Sequence, residues 1–587
     1  MRRARGRART ALLSLALSLT VTGCVGLPDE GPVEEAQASG SGTRADAMAI
    51  NPVGPQPDQS PSEVVKGFLD AMRATPIRDD VARQFLSERA RSEWDPDETI
   101  VYESASLPRP SAQGGDLVDL TLSGADRIDD RGSWQGALES DALRFRVVKE
   151  DGQVRIDTLP EFLIVPQSWY AQRFRQVSLY FFDPTSQVLV PDPVFVPRAA
   201  DLASTLVQRL VAGPAPELAD HARNLLPAGA DPAISVPVDD DGVATVDIEG
   251  DVDAPGPADR GLLVAQLAWT LRQDPSVERL RVRVDGTQVT PVGEPEVSVS
   301  SGEAFAPFVA EANTLLFGLA DGLMVAGSAQ TLAQVGGPFG QADLGLRSVT
   351  PDLGAAQAAG VSADGTAMYV APVRDPAGSA DLVVAGATDL LVPAWDFDGR
   401  LWMVDRRATG ALVSYLREGR IAEIDVPGVS GQDVKSFLVS RDGSRFVAVL
   451  QGANEDRIVV SRLLQDPDGK VVQALPARQV DVEGGRGLKI RDIAWLSPTS
   501  IVVLHPIDAP STDVLRTWNS RGASGDVDAL SVTIDDQVTG LIGTPDPRQS
   551  TYAIAVRDGQ DVLIDLSGPA GGDLDLAPGI TSLGYVG

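Results

Sequence analysis

The chain of 587 residues carries a formal net charge of −32, from 82 acidic and 50 basic side chains, and 43% of its residues are hydrophobic. This length corresponds to about three or four domains of ordinary size, and the hydrophobic content is typical of folded domains. The acidic surface disfavours nucleic acid and other polyanions as partners. A single cysteine excludes an internal disulfide, and with only two histidines, His221 and His505, a cysteine–histidine zinc site or catalytic pair is nearly excluded.

The amino-terminal segment has the layout of a secretory signal peptide. Five arginines among the first nine residues precede an apolar run, 11–21, that is shorter than the roughly 20 apolar residues needed to span a bilayer. The run ends in Val21-Thr22-Gly23-Cys24, which resembles the bacterial lipobox. The resemblance implies removal of residues 1–23, a diacylglycerol on Cys24 and acylation of the new amine, and hence a lipid-anchored protein on the extracytoplasmic face of the cell membrane. The alternative is an ordinary signal peptide followed by an incidental cysteine.

Residues 24–60 are interpreted as the lipid anchor and a flexible tether, because proline, glycine, serine and acidic residues alternate there without apolar periodicity. A domain is predicted at 61–165. Its first helix is predicted to be capped by Ser62 and to carry apolar residues up to Met72, and a second helix is predicted at 81–94.

Alternating apolar residues at 143–147 and the turn pair Asp151-Gly152 predict a β-hairpin in the same domain. Two helices on a curved antiparallel sheet resemble the nuclear-transport-factor-like cone fold. Such a cone can hold a ligand, but a packed spacer is the preferred interpretation because no polar cluster marks a pocket.

A second domain is predicted at 175–295, in which strands and helices alternate. Helices are predicted at 202–210 and 261–271, and strands at 177–182, 234–238, 243–248 and 280–284, the middle two as a hairpin. The helix at 261–271 is apolar nearly all round and should be covered on most sides. Its Gln266, Trp269 and Thr270 could be site residues, but packing is the preferred interpretation. These segments, in this order, resemble the GerMN domain, which implies an α/β fold and no particular chemistry.

Residues 303–587 are predicted to form a β-propeller. Turn signals such as Ser362-Ala-Asp-Gly365, Asp396-Phe-Asp-Gly399 and Ser440-Arg-Asp-Gly443 are each followed by an apolar strand. They recur on the order of every 45 residues, the size of a four-stranded blade, which predicts about six blades with a seventh as the alternative. The turns resemble the propeller repeats of TolB, and their aspartates are interpreted as turn formers rather than metal ligands.

A lipobox, a tether, an α+β domain, a GerMN-like domain and a propeller, in this order, are similar to the LpqB family of actinobacterial lipoproteins over essentially the entire chain. The resemblance implies an accessory protein that binds and modulates the extracytoplasmic domain of a sensor histidine kinase, MtrB, in signalling tied to cell wall homeostasis and division. Cys24, as the lipidation site, is the one predicted site residue. No catalytic, cofactor-binding or metal-ligating residue and no cofactor is predicted.

Two other functions stay open on the sequence. A wall-ligand module could hold a glycan or peptide fragment in the cone-like domain or the propeller. Trp395 and Trp402 of the propeller could stack on sugars, although both lie in strand patterns where packing is the commoner role. A carboxylate-based hydrolase is the less favoured alternative. No pair of a nucleophile and a base can be singled out. No Gly-x-Ser-x-Gly motif supplies a serine nucleophile that His221 or His505 could activate.

Overall fold

The computed structural model describes residues 51–587 apart from 75–76, 115, 139, 199–200, 232–233, 250–254, 291–293, 481–487, 507–512, 520–530, 535 and 567–572. Cys24, the predicted signal peptide and most of the predicted tether lie outside the described residues. Within the described ranges, no helix is both long and apolar enough to cross a membrane.

The first domain consists of short helices packed on a strongly curved sheet. Its elements are α1 (Pro61–Ala71), a 3₁₀ helix (Ala82–Phe85), α2 (Glu88–Glu93), β1 (Glu98–Ala105), β2 (Arg109–Pro110), β3 (Leu117–Ile128), β4 (Trp134–Ala137), β5 (Ala142–Glu150), β6 (Gln153–Thr158), β7 (Phe162–Pro166) and α3 (Gln167–Arg173). The sheet order is β6-β5-β3-β1-β7, with β2 and β4 also paired to β3. Only residues 159–161 join β6 to β7 at opposite edges, so the sheet curls into a half-barrel around a core that includes Phe68, Trp94 and Phe145.

Three predictions for this domain need correction. The cap of α1 is Ser60, not Ser62: Ser60 and Glu63 form a capping box, and Pro61 occupies the first helical position. The predicted second helix is broken at Leu86, which is extended because it bridges to Ile156, and the helix restarts as α2. The sheet is mixed, since β1 and β7 run parallel. The predicted hairpin of β5 and β6 is confirmed, with positive φ at both turn residues.

The second domain is built around one buried helix. Its elements are β8 (Phe174–Phe182), β9 (Leu189–Pro197), α4 (Leu202–Val211), a 3₁₀ helix (Pro216–Leu218), β10 (Val243–Ile248), α5 (Pro257–Leu271), β11 (Arg279–Val284), β12 (Thr287–Gln288), β13 (Val297–Ser298) and a 3₁₀ helix (Glu303–Phe305). β10, α5 and β11 form a parallel βαβ unit, and β8 pairs with β9 in a separate hairpin. Every residue of α5 from Leu263 to Leu271 is buried, as its apolar character predicts.

The predicted hairpin between 234–238 and 243–248 is wrong in its first strand. Residues 234–238 are irregular and make a single bridge, from Val238 to Ala244. The amide of Val236 donates to the Ser204 hydroxyl on α4 at 2.9 Å, and Pro237 has no amide to donate to a ladder. The segment is therefore held by the helix, and β10 pairs with β11.

The propeller has six blades in the described residues, each a sheet of four main strands. Its elements are β14 (Leu316–Ala320), β15 (Leu323–Ser328), β16 (Thr331–Gln334), α6 (Pro338–Gln341), β17 (Leu346–Pro351), β18 (Gln357–Ser362), β19 (Ala367–Pro372), β20 (Asp381–Ala385), β21 (Ala394–Trp395), β22 (Leu401–Arg407), β23 (Gly410–Arg417), β24 (Arg420–Glu423), β25 (Val434–Val439), β26 (Arg445–Leu450), β27 (Arg457–Gln465), β28 (Val471–Ala474), β29 (Arg478–Val480), β30 (Asp492–Ser497), β31 (Ser500–Pro506), β32 (Asp513–Asn519), β33 (Ser531–Ile534), β34 (Gln537–Ile542), β35 (Tyr552–Arg557), β36 (Gln560–Asp565), β37 (Leu574–Asp575) and β38 (Ile580–Gly584).

Blade one is closed by the last strand of the chain. β38 is its inner strand and pairs with β14, while the inner strands of blades two to six are β17, β21, β25, β30 and β34. Joining the two ends of the propeller in one sheet removes the open edges that an unclosed array would expose. The blade count agrees with the spacing of the turn signals.

Candidate functional site: the propeller channel

The six inner strands surround a central channel. Each inner strand is hydrogen-bonded to its neighbour on one side only, so its other edge faces the channel. The channel has a volume of about 320 Å³, and its walls are mostly apolar, with Phe437, Trp495 and Leu583 among the lining side chains. Volumes of about 300 to 1,000 Å³ with apolar walls and a few polar groups are typical of ligand sites. The channel is therefore a candidate ligand site in the described chain.

Side chains tie the inner edges of adjacent blades together. Trp395 Nε1 donates to the Thr350 carbonyl at 3.0 Å, and Trp495 Nε1 donates to the Val439 carbonyl at 3.2 Å. Between blades five and six, the amide of Leu541 donates to an Asp492 carboxylate oxygen at 2.8 Å. These bonds satisfy polar backbone groups that the sheets leave unpaired, and they hold the channel wall in one geometry.

One face of the propeller closes the channel. We call this the closed face; it carries the turns between the inner and second strands of blades two to six. The segment 308–313 crosses it, with the Phe308 carbonyl bonded to Arg441, the Ala310 carbonyl to Arg548 and the Asn313 amide to the Leu353 carbonyl. Those three partners belong to alternate blades, four, six and two, so the segment lies across the channel axis. Burial lowers the pKa of Arg441 to about 10.

The second domain is fixed to the same closed face. Arg445 donates to the Pro191 carbonyl, and Arg462 forms an ion pair of 2.7 Å with Asp192, whose side chain is 1% exposed. His221 Nδ1 lies 2.9 Å from the Gln465 carbonyl. Because these groups are buried or half-buried, removing one partner costs more than it would between exposed charges.

The opposite side, which we call the open face, has a charged cluster at the channel mouth. Lys435 and Lys489 both lie within ion-pair distance of Asp456, at 3.6 and 3.2 Å. Burial raises the pKa of Asp456, but hydrogen bonds from the Ile490 amide and from Lys489 outweigh it and hold the pKa below its ordinary value.

Asp492, the first residue of β30, lines the same channel wall and has no such ion pair among the described residues. Its carboxylate accepts the amides of Leu541 and Ile493, at 2.8 and 2.9 Å. Among the described residues, no cation lies within ion-pair distance of it. Burial raises its pKa to about 6, against the smaller opposing effects of these two amides and of Lys435. A carboxyl group with a raised pKa that faces a cavity is a group that a ligand can address.

The candidate residues that the sequence suggested have different roles and positions in the structure. Trp395 and Trp402 are 6% and 0% exposed, so the idea that they stack on glycan rings is wrong and packing is their role. Gln266 likewise serves packing: it bonds the Leu225 amide beside α5. His221 lies at the closed face, whereas His505 is a buried residue of β31 in blade five.

The turn aspartates act within their turns. Asp396 accepts the amides of Asp398 and Arg400 at 3.1 Å, and its other oxygen accepts Arg400 Nε at 2.6 Å. In the described part of the chain, no three acidic, histidine or cysteine side chains are grouped so as to hold a metal ion. Asp492 was missed from the sequence, because its one signal, an acidic residue opening an inner strand, is visible only once the blades are aligned.

Comparison with known proteins gives matches along most of the chain. The model of the lipoprotein LpqB N-terminal domain matches residues 54–171, the Germane model (sporulation and spore germination) matches 178–290, and the model of the lipoprotein LpqB beta-propeller domain matches 322–536. Lipoprotein LpqB of Mycolicibacterium smegmatis is 29% identical over 591 residues, covering 90% of this chain and 96% of that protein. Lipoprotein LpqB of Streptomyces coelicolor is 27% identical over 539 residues, covering 85% and 86%. The solved first GerMN domain of the sporulation protein GerM from Bacillus subtilis aligns with 22% of this chain and 95% of that chain, at 22% identity and a TM-score of 0.18.

Proposed function

Because the chain belongs to the LpqB family of lipoproteins, we propose that it is a membrane-anchored accessory protein on the extracytoplasmic face that binds and modulates a sensor histidine kinase of the MtrB type. The role is in signalling tied to cell wall homeostasis and division, and it is non-catalytic. The proposed parts of the chain are an anchor and tether (24–60), a cone-like domain (61–165), a GerMN-like domain (175–295) and a propeller (303–587).

The observation that carries the proposal is the two-sidedness of the propeller. Its closed face is occupied by segment 308–313 and by the second domain, through Arg441 and Arg462. The open face, with the channel mouth and the cluster around Asp456, points away from these contacts. A propeller offers a broad loop-built face for protein partners, and here that face is the open one.

The lipid anchor on Cys24 supplies the second element of the mechanism. Each buried methylene contributes about 0.8 kcal/mol, so two or three acyl chains hold the protein at the membrane durably. Confinement beside a membrane-embedded kinase raises the effective concentration of the propeller near the sensor domain, so a modest interface suffices. Preferential binding to one conformation of the sensor shifts its signalling state.

Site-specific photo-crosslinking in intact cells tests the proposal. Val392, at the channel mouth and 56% exposed, is replaced by a photoreactive amino acid, and Leu107 of the first domain, 72% exposed, is the matched control. Crosslinks from position 392 to the extracytoplasmic domain of the kinase are expected, with few from position 107. Absence of kinase peptides at position 392, or equal yields at both positions, refutes the open-face contact.

A further inference from the structure

We infer that the mouth of the propeller channel binds an extended basic peptide segment of the partner protein, whose lysine or arginine side chain pairs with Asp492. This inference rests on the proposed function, because it names the chemistry by which the open face recognises its partner. Three features of the channel lead to it: its uncovered strand edges, its unpaired acid and its single accessible end.

The channel walls suit a peptide in extended conformation. The inner edges of the six inner strands present backbone donors and acceptors to the cavity, and an extended peptide is complementary to such edges. Between them, Leu541 and Ile493 belong to apolar walls that accept aliphatic side chains. Side chains from adjacent blades satisfy part of the edges of β17, β25 and β34, as Trp495 does for the Val439 carbonyl, so the preformed wall needs little reorganisation to bind.

Asp492 is the acidic side chain of the channel wall that a cationic group can pair with, since the other charges of the mouth pair with one another. Lys435 and Lys489 at the mouth share Asp456, and Lys435 also donates to the Ile490 carbonyl. The carboxylate of Asp492 has two amide donors and, among the described residues, no cationic partner within ion-pair distance. Lys435 acts on the half-buried Asp492 carboxylate only from beyond ion-pair distance, so an ammonium or guanidinium group brought by a ligand supplies the close counter-charge that the carboxylate lacks.

The segment enters from the open face. The opposite end is crossed by residues 308–313, held by Arg441 and Arg548. A channel with one accessible end takes a chain terminus or a tight loop, not a chain threaded through both faces. The partner segment is therefore expected to combine aliphatic residues with one basic residue close to a terminus or turn.

The test uses the full-length lipoprotein purified from membranes in detergent. The probes are a short dye-labelled peptide with one arginine flanked by valine and leucine, and its citrulline counterpart, followed by fluorescence anisotropy. The wild type is expected to bind the arginine peptide about ten-fold more tightly. Asp492→Asn should lose this preference, whereas Asp425→Asn, an exposed carboxylate outside the channel, should keep it.

A second variant separates binding from folding. Ser436 lines the channel and is half-buried, so Ser436→Phe fills the cavity without changing its charge, and it is expected to weaken both peptides. Thermal melts establish that each variant is folded; if Asp492→Asn does not fold, Ser436→Phe decides. Unchanged arginine preference in folded Asp492→Asn, or unchanged affinity in folded Ser436→Phe, overturns the inference.

A pull-down of the kinase sensor domain distinguishes failure of the peptide site from failure of the proposed function. If the sensor domain binds the wild type and Asp492→Asn equally, the basic-peptide site is refuted and the proposed function stands. If the arginine peptide binds in the channel but the sensor domain does not bind the wild type, the peptide site stands and the proposed partner is wrong.

Discussion

Asp492 makes a quantitative prediction about stability, because its carboxylate lies in the channel wall, where burial disfavours the charged form. The perturbation is Asp492→Asn, which keeps the shape of the side chain and removes its charge. In the folded protein burial raises the pKa of Asp492 from 3.8 to about 6. The folded state therefore binds a proton in a pH range where the unfolded state has released it. The contribution of Asp492 to the stability of the folded state is fully present below about pH 4, and it is lost as the pH rises from about 4 to about 6.

The magnitude follows from the size of the shift. About two pKa units at 1.36 kcal/mol each correspond to roughly 3 kcal/mol of lost stability at pH 7.5. An asparagine amide oxygen can accept the Leu541 amide, but it leaves the Ile493 amide without its carboxylate acceptor, at a cost of about 1 kcal/mol. The variant should thus be more stable than the wild type by about 2 kcal/mol at pH 7.5. The difference should fall to about zero near pH 4.5, where Asp492 is protonated in the folded state.

Chemical denaturation at pH 7.5 and pH 4.5, read by hydrogen exchange and mass spectrometry, measures this difference. Peptides covering β30 and β34 report on the two strands that Asp492 joins, independently of the other domains. Asp425→Asn serves as the control, since an exposed carboxylate should show no such pH-dependent gain. A variant that is less stable than the wild type at pH 7.5 would refute the reasoning, because the hydrogen bonds of the carboxylate would then outweigh its burial.

Two further predictions rest on other contacts, and a third rests on the lipobox. Arg462→Met removes the 2.7 Å ion pair with the buried Asp192 carboxylate, so the junction between the second domain and the propeller should lose about 3 kcal/mol of stability. Faster limited proteolysis at the junction would show this loss, and an unchanged cleavage rate would contradict the role of the ion pair. Ser60→Ala should destabilise the first domain by about 1 kcal/mol in thermal melts, while Ser62→Ala should have almost no effect, and the reverse order would restore the cap predicted from the sequence. Cys24→Ala should move the protein from the membrane fraction to the medium on immunoblots, and retention in the membrane would exclude the lipid anchor.

Much of the architecture follows from local patterns. Alternating residues and turn pairs such as Asp151-Gly152 predict strands and hairpins, because a two-residue turn with positive φ joins adjacent strands directly. The apolar helix α5 predicts its own burial, since an all-round apolar surface has no side to leave in water. The spacing of turn signals predicts six blades because every blade repeats one supersecondary unit.

The remaining features depend on partners far away in sequence. The break at Leu86 depends on a bridge to Ile156, and the loss of the strand at 234–238 on a hydroxyl of α4. A local propensity worth a few tenths of a kcal/mol per residue yields to such contacts. No local pattern could have predicted them, because the pairing partner is chosen by the fold.

The sequence by itself determined that this chain contains strand-rich domains, a buried central helix and a repeated propeller, because periodicity and turn chemistry act within a few residues. Only the tertiary structure decided which face of the propeller is closed, since Arg441 and Phe308, which close it, are 133 residues apart. The same holds for the environment of Asp492, because its carboxylate accepts the amide of Leu541, 49 residues away in the next blade. A side chain becomes a candidate site through the solvent and charges around it, and these are set by the assembled blades.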